Sequence, residues 1–99
     1  MQSVIDFPWT PAHITENALV KTGRSVLHTI VLNGLTVAGD ITVYNGVDAG
    51  GTVIAILHLN TATSVSVQPI TFTYDCLMLT GIYIAYGQGT VADLTVTFK

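Results

Sequence analysis

The last eight residues, ADLTVTFK, constrain the fold of this chain more than any other stretch. Ala92, Leu94, Val96 and Phe98 alternate strictly with Asp93, Thr95, Thr97 and Lys99. A period of two puts the apolar set on one face of a strand and the polar set on the other, where a helix would scatter both around its circumference. No segment carries sustained helical periodicity. Upstream, runs rich in Val, Ile, Thr and Tyr are separated by Gly, Asn and Asp, at the short spacing of an all-β sandwich or barrel. Strands are predicted near 17–22, 25–33, 38–45, 52–59, 65–74, 76–79, 82–86 and 92–98.

The beginning of the chain reads differently. Pro8 and Pro11 flank Trp9, and proline lacks the amide donor that a central strand or a helix interior needs. Residues 1–16 are therefore expected to be an extended N-terminal arm or a first edge strand, with residues 17–99 forming one antiparallel β-sandwich domain. Ninety-nine residues suffice for a single modest core.

Two strands look apolar on both faces. In 52–59, Ile54 and Ile56 point one way while Val53, Ala55, Leu57 and Leu59 point the other. In 26–32, Val26, Ile30 and Leu32 share one face, and Leu27 and Val31 the other. Such strands need cover outside: a second sheet on one side, and a neighbouring subunit or the N-terminal arm on the other. Composition agrees, because the chain is 49% hydrophobic and 9% charged, against roughly 25% charged in an ordinary soluble domain. A surface covered by copies of itself or by a larger body can dispense with solvating charge, so a homo-oligomer is expected.

Several classes are excluded. The longest apolar run, Val53 to Leu57, falls far short of the ~20 residues of a spanning helix, so no membrane partner is expected. The N-terminus lacks a basic segment followed by a long apolar one, so the chain is expected to stay where it is made. Cys76 stands alone, which leaves no intramolecular disulfide framework. Lys21, Arg24 and Lys99 are the three basic residues, and the net charge is −3; a nucleic-acid backbone would find too little to bind.

The motif most open to a chemical reading is NGVDAGG, residues 45–51. Gly46, Gly51 and Thr52 copy the outer spacing of a phosphate-binding loop, but Gly51 stands where that loop needs lysine, and a β-branched run follows where it needs a helix. The loop is predicted to be a hairpin connection, with Asp48 bonding to the backbone ahead and the Gly pairs supplying positive φ. His13, His28 and His58 lack a second ligand at short spacing, so no metal site is predicted. Cys76 has no neighbouring base, and Ser25, Ser64 and Ser66 lack a nucleophile elbow. No catalytic residue and no cofactor are assigned, and the chain is read as non-enzymatic. Tyr83 and Tyr86, with Trp9 and Tyr44, are candidates for a sugar-binding face, though core and interface packing accounts for them more simply.

The order SVLHTIVLNG, ITVYNGVDAGGTVIAILHL, ITFTYDCLMLTGIYIAYGQGTVADLTVTFK resembles a pattern in small structural proteins of tailed bacteriophages. In those, a strand ending in tyrosine, a Gly- and Asp-containing loop and a strand opening Gly-Thr precede a GIYIAY-type strand, a Gly-rich turn and a closing strand. The resemblance covers about residues 24–99 and is one of strands and turns rather than of catalytic residues. It implies a β-sandwich, jelly-roll-like or of the β-tulip type, made in the host cytoplasm and residing in the virion. There it would be a capsid decoration or cement protein that binds the major capsid protein or another virion protein, with a trimer favoured. The arm has no counterpart in the pattern, and its Phe7, Trp9 and Ile14 are the expected partner contacts, since buried aromatic anchors dominate interface energies. The alternative is a head or tail fibre module whose loops 45–51 and 87–90 bind host-surface glycans.

Overall fold

The computed structural model describes residues 9–59 and 69–99. Within them the chain forms eight strands and no helix: β1 (Thr10–Ile14), β2 (Ala18–Thr22), β3 (Ser25–Val37), β4 (Gly39–Asn45), β5 (Thr52–Leu59), β6 (Ile70–Met78), β7 (Gly81–Tyr86) and β8 (Val91–Phe98). They make two four-stranded sheets, β1-β8-β3-β6 and β2-β7-β4-β5, with every pairing antiparallel. The nesting of partners, β1 with β8, β2 with β7, β3 with β6 and β4 with β5, is that of one long hairpin. Wrapped so that successive pairs fall into opposite sheets, this hairpin is a jelly-roll sandwich.

Strand β8 is central in the first sheet and keeps the alternation of its sequence. Ala92, Leu94, Val96 and Phe98 are buried, while Asp93, Thr95 and Thr97 face outward. Its inward residues meet Ile14, Leu27, Ile30, Leu32 and Met78 of the same sheet, and Ile41, Val43, Leu57, Ile82 and Ile84 of the other. Each fully buried Leu or Ile contributes about 1.5–3 kcal/mol by leaving water, so this one layer holds the fold.

Strand β3 departs from its sequence reading, and a bulge is the reason. Leu27, Ile30 and Leu32 are all buried, whereas Val26 and Val31 are only half-buried on the outer side. The pairing with β8 jumps from Leu27↔Phe98 to Thr29↔Thr97, so His28 is an extra residue, and the strand's phase changes by one. The two-sided look of VLHTIVL is thus one buried face interrupted by a bulge. Strand β6 answers it. Leu27 pairs with Cys76 and Thr29 with Thr73, leaving Tyr74 and Asp75 opposite His28 alone. Asp75 takes the left-handed conformation, φ 48°, which a short polar side chain tolerates. The predicted break at Asp75 is therefore a bulge within one strand, not a boundary between two; the predicted strand at 65–74 lies, through residue 68, outside the described residues.

Residues 10–14, which the prolines mark as arm or edge, pair with β8 from Thr10↔Phe98 to Ile14↔Leu94. Pro11 is confined to an edge strand, where a missing amide costs no central ladder bond.

Candidate interaction surfaces

The outer faces of the two sheets differ: the first carries a hydrogen-bonded polar network with Leu77 exposed toward its β6 edge, and the second an apolar row. On the first sheet the outward residues of β1, β8 and β3 satisfy one another. His13 Nε2 donates to Asp93 Oδ1 at 2.8 Å, and Asn33 Nδ2 donates to the same oxygen at 3.0 Å and to Thr95 Oγ1 at 2.9 Å. One register step further on, the Thr29 and Thr97 hydroxyls share a bond of 2.6 Å. The hydrogen bonds from His13 and Asn33 hold the Asp93 carboxyl below its ordinary range. A lowered carboxylate pKa adds stability above the unfolded pKa and loses it as pH falls through the folded one. Parent protein and Asp93→Asn, melted at neutral pH and at about pH 2–3, are expected to differ at neutral pH, parent higher, and to converge in acid.

At the far end of this face, four side chains cross all four strands of the sheet. Trp9, just before β1, stacks on bulged His28 of β3, ring centroids 4.0 Å apart and 8° from parallel. Lys99, just after β8, places Nζ 5.2 Å from the indole centroid. His28 Nδ1 donates in turn to Asp75 Oδ1 on the β6 bulge. Stacking contributes about 0.5–1.5 kcal/mol and an exposed cation–π contact about 0.5–1 kcal/mol. Together they clamp the start of β1 onto the sheet. The bulge that takes His28 out of register also lifts its ring to meet the indole, which no local feature of the sequence announces.

The second sheet is different. Leu19 of β2, Tyr83 of β7, Tyr44 of β4 and Val53 of β5 stand opposite one another in a single row. Beside Val53 lie Ile54 and Ile56, and Leu19, Val53, Ile54 and Ile56 are between 37% and 50% exposed. Tyr44 and Tyr83 tilt together with centroids 6.1 Å apart. At one margin His58 Nδ1 donates to Asp40 Oδ1 at 2.9 Å. The two-sided reading of β5 is therefore resolved unequally. Leu57 is buried and Leu59 packs against the core, while Val53, Ile54 and Ile56 remain in solvent.

Of the expected partner contacts, Trp9 is half-buried in its clamp. Ile14, 9% exposed, commits its side chain to the core. Phe7 lies outside the described residues. The tyrosines divide as well: Tyr83 faces out, whereas Tyr86 packs on the core and its hydroxyl donates to the carbonyls of Ala92 (2.9 Å) and Ile14 (3.3 Å). Burial, reinforced by Asp93, pushes the Tyr86 phenol up to about 12. Loops 45–51 and 87–90 do not share a surface, because Asn45 pairs with Ile82 at one end of β7 and Ile41 with Tyr86 at the other. The loop at 45–51 is the predicted turn: Asp48 Oδ1 accepts from the Gly50 amide at 2.8 Å and the Asp48 carbonyl from Gly51 at 3.2 Å. None of Gly46, Gly50 and Gly51 takes positive φ. The requirement is closeness instead, since a Cβ on Gly51 would lie 2.7 Å from the Asn45 carbonyl oxygen.

Cys76 is half-buried, and burial together with Asp75 raises its thiol pKa, away from a nucleophile's needs. Ser25 Oγ and Thr90 Oγ1 are buried without a hydrogen-bond partner. Among the described residues, no three His, Cys, Asp or Glu side chains gather into a set that would hold a metal ion. No protein-family model matches the chain, and neither a curated protein nor a solved structure is significantly similar to it.

Proposed function

We propose that this chain is a non-enzymatic structural component of a tailed-bacteriophage virion, a decoration or cement protein that binds the outer capsid surface and stabilises it. The observation that carries the reading is the outer face of the second sheet. Leu19, Tyr83, Tyr44, Val53 and Ile56 form an apolar tract without a charged side chain. A lone domain in water has no use for such a tract, whereas a subunit seated on a larger body buries it. The jelly-roll winding and the motif order of residues 24–99 agree with a small virion protein. The partner is the major capsid protein or another virion protein, and Tyr44 and Tyr83, at the centre of that row, are its aromatic anchors.

The mechanism is linkage. A protein that binds only the assembled shell stabilises that state by mass action, about 2.7 kcal/mol per site at a hundred times its dissociation constant. Many such sites act together on one particle. The alternative, a fibre module that displays loops 45–51 and 87–90 to a glycan, has those loops at opposite ends of the sandwich, and the apolar row of the second sheet favours the capsid reading over it.

Co-sedimentation with capsids assembled without this protein tests the proposal. Removing residues 1–16 would strip β1 and Ile14 from the fold, so the informative variant is Tyr44→Ala, within the outer row of the second sheet. It is expected to weaken capsid binding tenfold or more, the scale of an aromatic hot spot, while the domain stays folded. A parent protein that leaves capsids bare overturns the reading, and a Tyr44→Ala variant that coats them as well as the parent overturns the anchor.

A further inference from the structure

We propose that two copies of this chain join through their β5 edges, pairing antiparallel about a two-fold axis so that the second sheets fuse into one of eight strands. The inference comes from comparing the four sheet edges and does not rest on the virion reading.

An edge strand presents unpaired amides and carbonyls, and proteins blunt such edges with short strands, proline, charge or bulges. Three of the four edges here are blunted. β1 has five residues and carries Pro11. β2 also has five, includes Lys21, and slips register between Leu19 and Lys21. β6 is bent at its middle by left-handed Asp75, a charged residue.

β5 stands apart. It runs for eight residues, TVIAILHL, with neither proline nor Asp, Glu, Lys or Arg. Its one irregularity, at Ile54, lies near its start, and from Ala55 to Leu59 it pairs regularly with β4. Among the described residues no strand or loop hydrogen-bonds to its outer side. Among the described residues it exposes three large apolar side chains, Val53 at 50%, Ile54 at 37% and Ile56 at 46%, more than any other edge strand.

The occupant follows from the chemistry of that edge. Unpaired backbone groups call for a strand, and apolar side chains on both faces call for a strand apolar on both faces. β5 of a second copy is such a strand. Antiparallel pairing of a strand with its own copy is self-complementary, so each contact is made twice and the assembly closes at two, where the resemblance favours three. Neither strand brings an Asp, Glu, Lys or Arg to the junction, despite the chain's net −3. The row Leu19–Tyr83–Tyr44–Val53 would then continue across the axis into its counterpart.

Size sets the expected strength. Eight residues extend about 27 Å, and an edge of that length buries less than the roughly 800 Å² per partner of a standard interface. The dimer is accordingly expected to dissociate in the micromolar range.

Light scattering on the full chain from about 1 to 200 μM, bracketing that range, decides the matter. The parent is expected to pass from the mass of one chain to that of two. Ile56→Lys, which places a charge on the edge, is expected to raise the dissociation constant tenfold or more without moving the melting midpoint. Val53→Lys serves as the second variant should Ile56→Lys fold poorly. Thr71→Lys, an equivalent charge on the β6 edge, is expected to dimerise like the parent. A parent that stays monomeric throughout, a limiting mass of three or more chains, a dimer indifferent to both β5 charges, or one lost in Thr71→Lys would each overturn the proposal.

Discussion

Replacing Leu94 with alanine is expected to lower the melting midpoint by roughly 8–40 °C. Leu94 is 0% exposed, lies on central strand β8, and pairs with Ile14 on one side and Leu32 on the other, both buried. Truncation there loses the transfer energy of the side chain and leaves a cavity between two sheets that cannot both collapse into it. Such changes cost about 2–5 kcal/mol, a large part of the 5–15 kcal/mol that stabilises a typical domain. In a domain of this size each kcal/mol is worth about 4–8 °C. Leu79→Ala is the internal control, since Leu79 is 59% exposed, and surface changes of this kind stay within about 0.5 kcal/mol. Circular dichroism melts of the pair check the prediction. Equal midpoints for the two variants would contradict the placement of the core.

Gly81→Ala is expected to be nearly as damaging, for a different reason. Gly81 opens β7 and is wedged between two backbones: an added Cβ would lie 2.6 Å from the Lys21 carbonyl oxygen and 2.8 Å from that of Gly46. Neither neighbour is a flexible side-chain tip, so either β2 or the 45–51 loop must move. The bonds at risk are Gly46 N–H to the Gly81 carbonyl at 3.1 Å and Gly23 N–H to the Thr80 carbonyl at 2.8 Å. Overpacking of this kind costs about 1–3 kcal/mol and sometimes more, which corresponds to roughly 5–20 °C. Gly34→Ala makes the contrast. A Cβ there meets nothing within 4 Å, and removing a glycine's freedom in the unfolded chain is neutral or stabilises by about 0.4–1 kcal/mol. If both variants melt alike, close approach is not what position 81 requires.

The candidate interaction surfaces were legible in part. The low charge and the doubly apolar run Thr52–Leu59 point to an uncovered surface, and β5 does expose Val53, Ile54 and Ile56. The three arm residues expected as partner contacts, Phe7, Trp9 and Ile14, gave a more uniform expectation than the fold allows. Ile14 faces inward because the pairing of β1 with β8 sets it opposite Leu94, a partner eighty residues away in sequence. The clamp of Trp9, Lys99, His28 and Asp75 left no local signal at all, as its members come from the two ends and two interior strands of the chain.

By itself the sequence determined what depends on neighbours along the chain. The strict alternation of Ala92 to Phe98 survives unchanged in β8, and Asp48 makes the turn its residue type favours. Strand character and turn chemistry are local energies, repeated every two residues or closed within four, so they can be read in place. The tertiary structure alone decided phase and winding. A bulge at His28 shifts β3 by one residue and carries Leu27 into the core beside Ile30 and Leu32. The nested order β1-β8-β3-β6 and β2-β7-β4-β5 fixes which faces meet and which stay in water. Both rest on hydrogen bonds between strands far apart in sequence, whose register is set by the best joint burial of two whole sheets.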